Sequence, residues 1–162
     1  MPRVYISIGS NIERAANIRA GVAALRECFG ELVISSVYES QPVGFDGDNF
    51  YNLVVGFNTA QGMRNVNAHL HDIEHHHGRI HNGQRFNSRT LDLDLLLYGD
   101  VVIHEHDLTL PRDEILRYVF VLCPLAEIAG DEKHPLNGKN YAELWHEFEK
   151  HSQPLWRMDF TW

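Results

Sequence analysis

The chain has 162 residues, 44% of them hydrophobic, so it is the size of one ordinary domain and carries enough apolar material for a substantial core. Its formal net charge of −8 speaks against a nucleic-acid duplex or an anionic membrane as partner, because either needs a broad basic face, and an anionic ligand would need a locally positive site. Cys28 and Cys123 are too few and too far apart for a disulfide framework or a metal knuckle, and neither a secretory signal nor a long apolar run is expected, which points to a soluble, cytoplasmic protein.

Val4 to Ile8 alternates and reads as a first strand ending at Gly9-Ser10-Asn11. Ser10 with Glu13 fits a capping box, and Ile18, Val22 and Leu25 carry a helical apolar stripe to about Gly30. Leu32 to Tyr38 predicts a second strand, and Ser40 to Asn49, with Gln41-Pro42-Val43-Gly44, is rich in turn formers. Phe50 to Thr59 predicts a third strand. A second helix is predicted from Gly62 to about His77, with Met63, Val66, Leu70 and Ile73 on its inner face and Gly78 as C-cap. A polar loop then leads into Arg89-Thr90-Leu91-Asp92-Leu93-Asp94-Leu95-Leu96-Leu97. Val101 to Ile103 predicts a short strand, Pro111 precedes a helical segment, Phe120 to Ile128 packs on the sheet, and Tyr141 to Lys150 forms a last amphipathic helix. The order β-α-β-β-α-β fits an α+β, ferredoxin-like core with a mixed or antiparallel sheet and C-terminal helical additions, in a single domain over 1–162. No Gly-rich phosphate loop is present.

The Leu-Asp alternation predicts a strand with Leu91, Leu93, Leu95 and Leu97 on one face and Asp92 and Asp94 on the other. At about 3.3 Å of rise per residue the two aspartate α-carbons stand roughly 6.6 Å apart, close enough to converge on one or two metal ions. Hard carboxylate oxygens suit Mg²⁺, which completes its shell with water and substrate phosphates. Upstream, residues 78–89 hold Arg79, Arg85 and Arg89, a locally positive funnel whose forked donors match a polyphosphate and whose composition suits a closing lid. A different class of function would rest on the histidines: His71 and His75 are spaced i,i+4 on the second predicted helix, with His69, His76, His77 and His81 nearby, as in a Zn²⁺ or Ni²⁺ module.

These motifs together resemble hydroxymethyl-dihydropterin pyrophosphokinase, a folate-pathway family. The resemblance rests on Gly9-Ser10-Asn11, Pro42-Val43-Gly44 with Phe50 and Asn52, Arg89-Thr90-Leu91-Asp92-Leu93-Asp94, and Phe120 to Ala129 with His134-Pro135. It implies a ferredoxin-like enzyme that transfers the β,γ-pyrophosphate of ATP to the pterin hydroxymethyl group, releasing AMP, with two Mg²⁺ on Asp92 and Asp94. It implies further that Glu74, Arg79, Arg85, Arg89, Thr109 and Arg112 lie on the nucleotide side, Arg79 and Arg89 with a part in catalysis. Ser40, Val43, Asn52, Phe86 and Phe120 fall at pterin-pocket positions, and the protein is expected to be a monomer. Arg112 takes the place of the usual His, Tyr118 that of an Arg, with Arg117 displaced by one, and Phe86 that of a Trp; Asn87-Ser88 replaces a Gly-Pro. A diverged pterin- or nucleotide-binding paralogue is the alternative within the family.

Overall fold

The computed structural model describes residues 1–77, 90–150 and 152–162. The chain runs β1 (Arg3–Ser10), α1 (Arg14–Phe29), β2 (Val33–Ile34), β3 (Val37–Ser40), β4 (Phe50–Asn58), α2 (Met63–His76), β5 (Asp92–Tyr98), β6 (Ile103–His104), β7 (Thr109–Leu110), a 3-10 turn over Asp113–Leu116, α3 (Val119–Ala129), α4 (Tyr141–Glu147) and β8 (Leu155–Met158). The main sheet has the order β5-β1-β4-β3-β8, with β2 beside β4, and its pairings are antiparallel. This is the predicted ferredoxin-like core, extended at one edge by β8. Strands β6 and β7 form a separate hairpin.

Each face of the sheet carries its own core. Val4, Ile6 and Ile8 of β1 point toward α1 and α2, where they meet Ile18, Val22, Leu25, Val66, Leu70 and Ile73. Tyr5 points the other way, toward α3 and α4, into a cluster with Val54, Leu122, Leu125 and Tyr141. The Tyr5 ring lies across Gly56 of the neighbouring strand, where an added Cβ would come within 2.6 Å of the ring, so this position must be glycine. The Tyr5 hydroxyl donates to Glu132, and burial together with that hydrogen bond pushes its pKa up to about 12.

Several predicted details change. The strand expected from Leu32 to Tyr38 is broken in two, because Ser35 Oγ accepts the Val54 N–H at 2.9 Å and so replaces a backbone acceptor in the ladder. Across the break, Glu127 of α3 accepts from Ser36 N, Ser36 Oγ and Tyr38 OH at 3.0, 2.9 and 2.7 Å, which pins α3 to β3. Ser10 caps no helix: α1 begins after Glu13, a left-handed residue at φ 45° without a side-chain cap bond. Instead Ser10 Oγ reaches Thr90 O at 2.5 Å and ties the end of β1 to the residue before Leu91. Leu91, Leu93 and Leu95 face α1 and α2 as expected, but Leu97 does not. A bulge shifts the register so that Ile6 pairs with Leu95 and Tyr5 with Leu97, and both Leu96 and Leu97 join the opposite core. The short strand expected at Val101–Ile103 is Ile103–His104, and the last helix stops at Glu147. Strand β8 was not predicted; its Trp156 and Arg157 are exposed, so it lacks an alternating signal. The predicted C-cap Gly78 lies outside the described residues.

Candidate active site

The register of β1 explains why the two carboxylates have room. Asp92 pairs with Gly9 and Asp94 with Ser7, and residues paired across an antiparallel ladder point to one face. One aspartate therefore borders a position with no side chain, the other a short hydroxyl. Gly9 pairs on its other side with Asn52 of β4. Asp92, Gly9 and Asn52 thus form one row over three strands, which sets the carboxylate and the amide roughly 10 Å apart at about 4.8 Å per strand. A Cβ on Gly9 would lie 3.4 Å from Asn52 Oδ1 and 3.7 Å from Phe50 Cδ2, so the glycine leaves an open floor between the acid and the amide.

Asn52 is buried, and its Nδ2 donates to Ser40 Oγ at 2.7 Å, which fixes the orientation of the amide. The 41–49 loop that carries the half-buried Val43 is tied at its end: Asn11 Nδ2 donates to Asp48 O at 3.1 Å and Arg14 Nη1 to Asn49 O at 3.1 Å. Phe45 of this loop meets Phe50 edge to face at 6.3 Å. Phe120, in the first turn of α3, stacks on Tyr118 with centroids 5.0 Å apart.

Beyond β5 lies Arg112. Its backbone N–H donates to Leu96 O at 3.0 Å, which docks the segment after β7 on the edge of β5 next to the bulge. Its Nη2 donates to Glu114 Oε1 at 3.2 Å and lies 3.3 Å from Asp94 Oδ1. Burial works to lower the guanidinium pKa, but the charges of Asp94, Glu114 and Asp92 hold it above its ordinary value. Arg112 Nε is buried and has no hydrogen-bond partner among the described residues. Thr109 stands half-buried on β7, paired with His104. Glu74 is 3% exposed, and its Oε2 accepts the Leu93 N–H at 2.8 Å. It thereby clamps the backbone between the two aspartates.

The fold therefore gathers Ser40, Asn52, Asp92, Asp94, Glu74 and Arg112 around one end of the sheet. Arg79, Arg85, Phe86 and Arg89 lie outside the described residues. Arg117 is exposed, with its guanidinium 5.5 Å from the centre of the Tyr118 ring. Among the described residues no group of three or more His, Cys, Asp or Glu side chains is placed to hold a metal ion, so His71 and His75 gain no third ligand there. Sequence reasoning missed the floor made by Ser7 and Gly9, although the alternation of β1 already places them opposite Ile6 and Ile8. It also missed Glu114 as the partner of Arg112, for which no periodic signal exists.

The model of the 7,8-dihydro-6-hydroxymethylpterin-pyrophosphokinase (HPPK) family matches residues 5–130. The chain belongs to this family. An HPPK relative, the 2-amino-4-hydroxy-6-hydroxymethyldihydropteridine pyrophosphokinase of Haemophilus influenzae, is 34% identical over 155 residues, covering 93% of this chain and 96% of its own. The enzyme of the same name from Bacillus subtilis is 37% identical over 128 residues, or 76% of each chain. In fold the chain resembles the Plasmodium falciparum HPPK-DHPS crystal structure, at a TM-score of 0.72 and 13% identity over 91% of this chain. It spans only 43% of that longer chain. As an HPPK family member the chain is an ATP-dependent pyrophosphokinase of folate synthesis, which transfers pyrophosphate from ATP to hydroxymethyldihydropterin.

Proposed function

We propose that transfer takes place over the Asp92–Gly9–Asn52 row, and this row is the observation that carries the assignment. The dihydropterin lies on the Gly9 floor with its hydrogen-bonding edge toward Asn52, whose amide is held by Ser40, and with Val43, Phe86 and Phe120 around its ring. Asp92 and Asp94 fit a hard divalent cation: two carboxylates share a face, next to a glycine and a serine that leave space above the strand. Mg²⁺ bound there, as two ions, would neutralise the phosphate oxygens of ATP. Arg79, Arg85, Arg89, Thr109 and Arg112 serve the nucleotide side, and Glu74 serves it by holding β5 in place.

Little protein base is required for this reaction. The hydroxymethyl oxygen forms a bond to the β-phosphorus as the bond from that phosphorus to the α,β-bridging oxygen breaks, its proton is released, and AMP leaves. The chain's own contribution is alignment: Asn52 and the aromatic rings fix where the hydroxymethyl group points, and the carboxylates fix where the phosphates stand. The protein acts as a single-domain monomer in the cytoplasm. No helix among the described residues is long and apolar enough to cross a membrane.

The test is to incubate the protein with ATP, Mg²⁺ and hydroxymethyl-dihydropterin and to follow AMP. AMP formation that requires the pterin supports the assignment. Pterin binding without AMP would mark a paralogue that has lost transfer.

A further inference from the structure

Arg112 holds a position that a simple phosphate donor would not. Its Nη2 sits between two acids, donating to Glu114 Oε1 at 3.2 Å while standing 3.3 Å from Asp94 Oδ1. Its Nε is buried and unpaired among the described residues, although a buried donor normally finds an acceptor. The backbone is anchored independently of the side chain by the Arg112 N–H to Leu96 O bond. The guanidinium can therefore change partners without moving the chain.

We propose that Glu114 is a positioning residue for Arg112, and that the pair governs access of the divalent cation to Asp94. Without the cation, the guanidinium neutralises Asp94. When a cation takes Asp94, Glu114 retains the guanidinium, and the unpaired Nε of Arg112 is left to meet the anion that accompanies the metal. Glu114 acts through Arg112 alone: it supplies the alternative acceptor that lets the guanidinium leave Asp94. Its side chain is 20% exposed and that of Arg112 32%, so the exchange takes place in a partly screened setting where effects are modest. The inference rests on the assignment of Asp94 as a metal ligand.

Mn²⁺ binding to the full chain, measured by electron paramagnetic resonance without nucleotide, tests the inference and that assignment separately. Asp94→Asn should weaken Mn²⁺ binding; if it does not, the metal-ligand assignment fails, and the role of Glu114 fails with it. With Asp94 established as a ligand, Arg112→Gln should tighten Mn²⁺ binding by about fivefold, because a guanidinium that competes for Asp94 is removed. Glu114→Gln should weaken it by about threefold, because a neutral amide oxygen holds the guanidinium less strongly than a carboxylate and Arg112 then rests more on Asp94. The decisive comparison is the double variant. If Glu114 acts through Arg112, adding Glu114→Gln to Arg112→Gln changes nothing. If the two changes are additive, each side chain acts on the metal only through its own charge, and the positioning role is overturned. Circular dichroism of each variant guards against misfolding, and Glu114→Asp, which keeps the carboxylate, should recover part of the affinity lost in Glu114→Gln.

Discussion

Gly9 offers a direct way to separate folding from function. Its backbone is extended, in the middle of a paired row, so no positive φ demands glycine there. An added methyl would meet Asn52 Oδ1 at 3.4 Å and Phe50 Cδ2 at 3.7 Å, which is ordinary contact distance. Gly9→Ala should therefore fold, and relief of the glycine's entropy cost in a strand should stabilise it by about 0.5–1 kcal/mol. For a chain of this size that is a rise in Tm of roughly 1–4 °C. Gly9→Val also suits a strand, but its two γ-methyls project into the space between Asp92 and Asn52. A ligand held against that floor should bind at least tenfold more weakly, a loss of about 1.4 kcal/mol. Thermal unfolding paired with a pterin titration by fluorescence measures both quantities. A Gly9→Val protein that keeps its Tm and binds pterin at parental affinity would refute the Gly9 floor as the pterin site.

Two further expectations concern residues around the site and the fold that supports it. Ser40→Ala should leave the buried Asn52 N–H without its acceptor, at a cost of about 1–3 kcal/mol, and should raise KM for the pterin more than it lowers kcat; chemical denaturation and initial-rate kinetics check both parts. Buried His134 accepts the Leu136 and Asn137 N–H groups on Nδ1 at 3.2 and 3.1 Å, and burial lowers its pKa. The unfolded chain takes up that proton first, so this contribution to stability is full above about pH 6.5 and is lost as the pH falls below it. His134→Asn retains an acceptor without titrating, and should flatten this acid limb in a Tm-versus-pH series.

The sequence makes the site legible where one strand's periodicity decides it. Alternation alone puts Asp92 and Asp94 on one face, and the same argument applied to β1 puts Ser7 and Gly9 beside them. Alternation fails at Leu97, because the bulge beside Tyr5 and Ile6 is set by pairing between strands and leaves no mark in the Leu run. Ser10 misleads for a related reason. A Ser followed at the right distance by Glu reads as a cap, but the hydroxyl is taken by Thr90 O, eighty residues away in the chain. The break between β2 and β3 likewise depends on Ser35 competing for a backbone donor, which a β-branched run with two serines does not announce. Long-range ion pairs such as Arg112 with Asp94 come only from the folded chain, since Arg112 reaches β5 through the Leu96 carbonyl.

The most direct test of the account replaces each aspartate with its neutral isostere and measures AMP formed from ATP and hydroxymethyl-dihydropterin. Asp92→Asn and Asp94→Asn keep the shape of a half-exposed polar face, so the circular dichroism spectrum and Tm should stay near the parent's, while turnover should fall by at least a hundredfold, about 2.7 kcal/mol of transition-state stabilisation. AMP production near the parent's rate in either variant, with the fold intact, would contradict the placement of the reaction at this carboxylate pair.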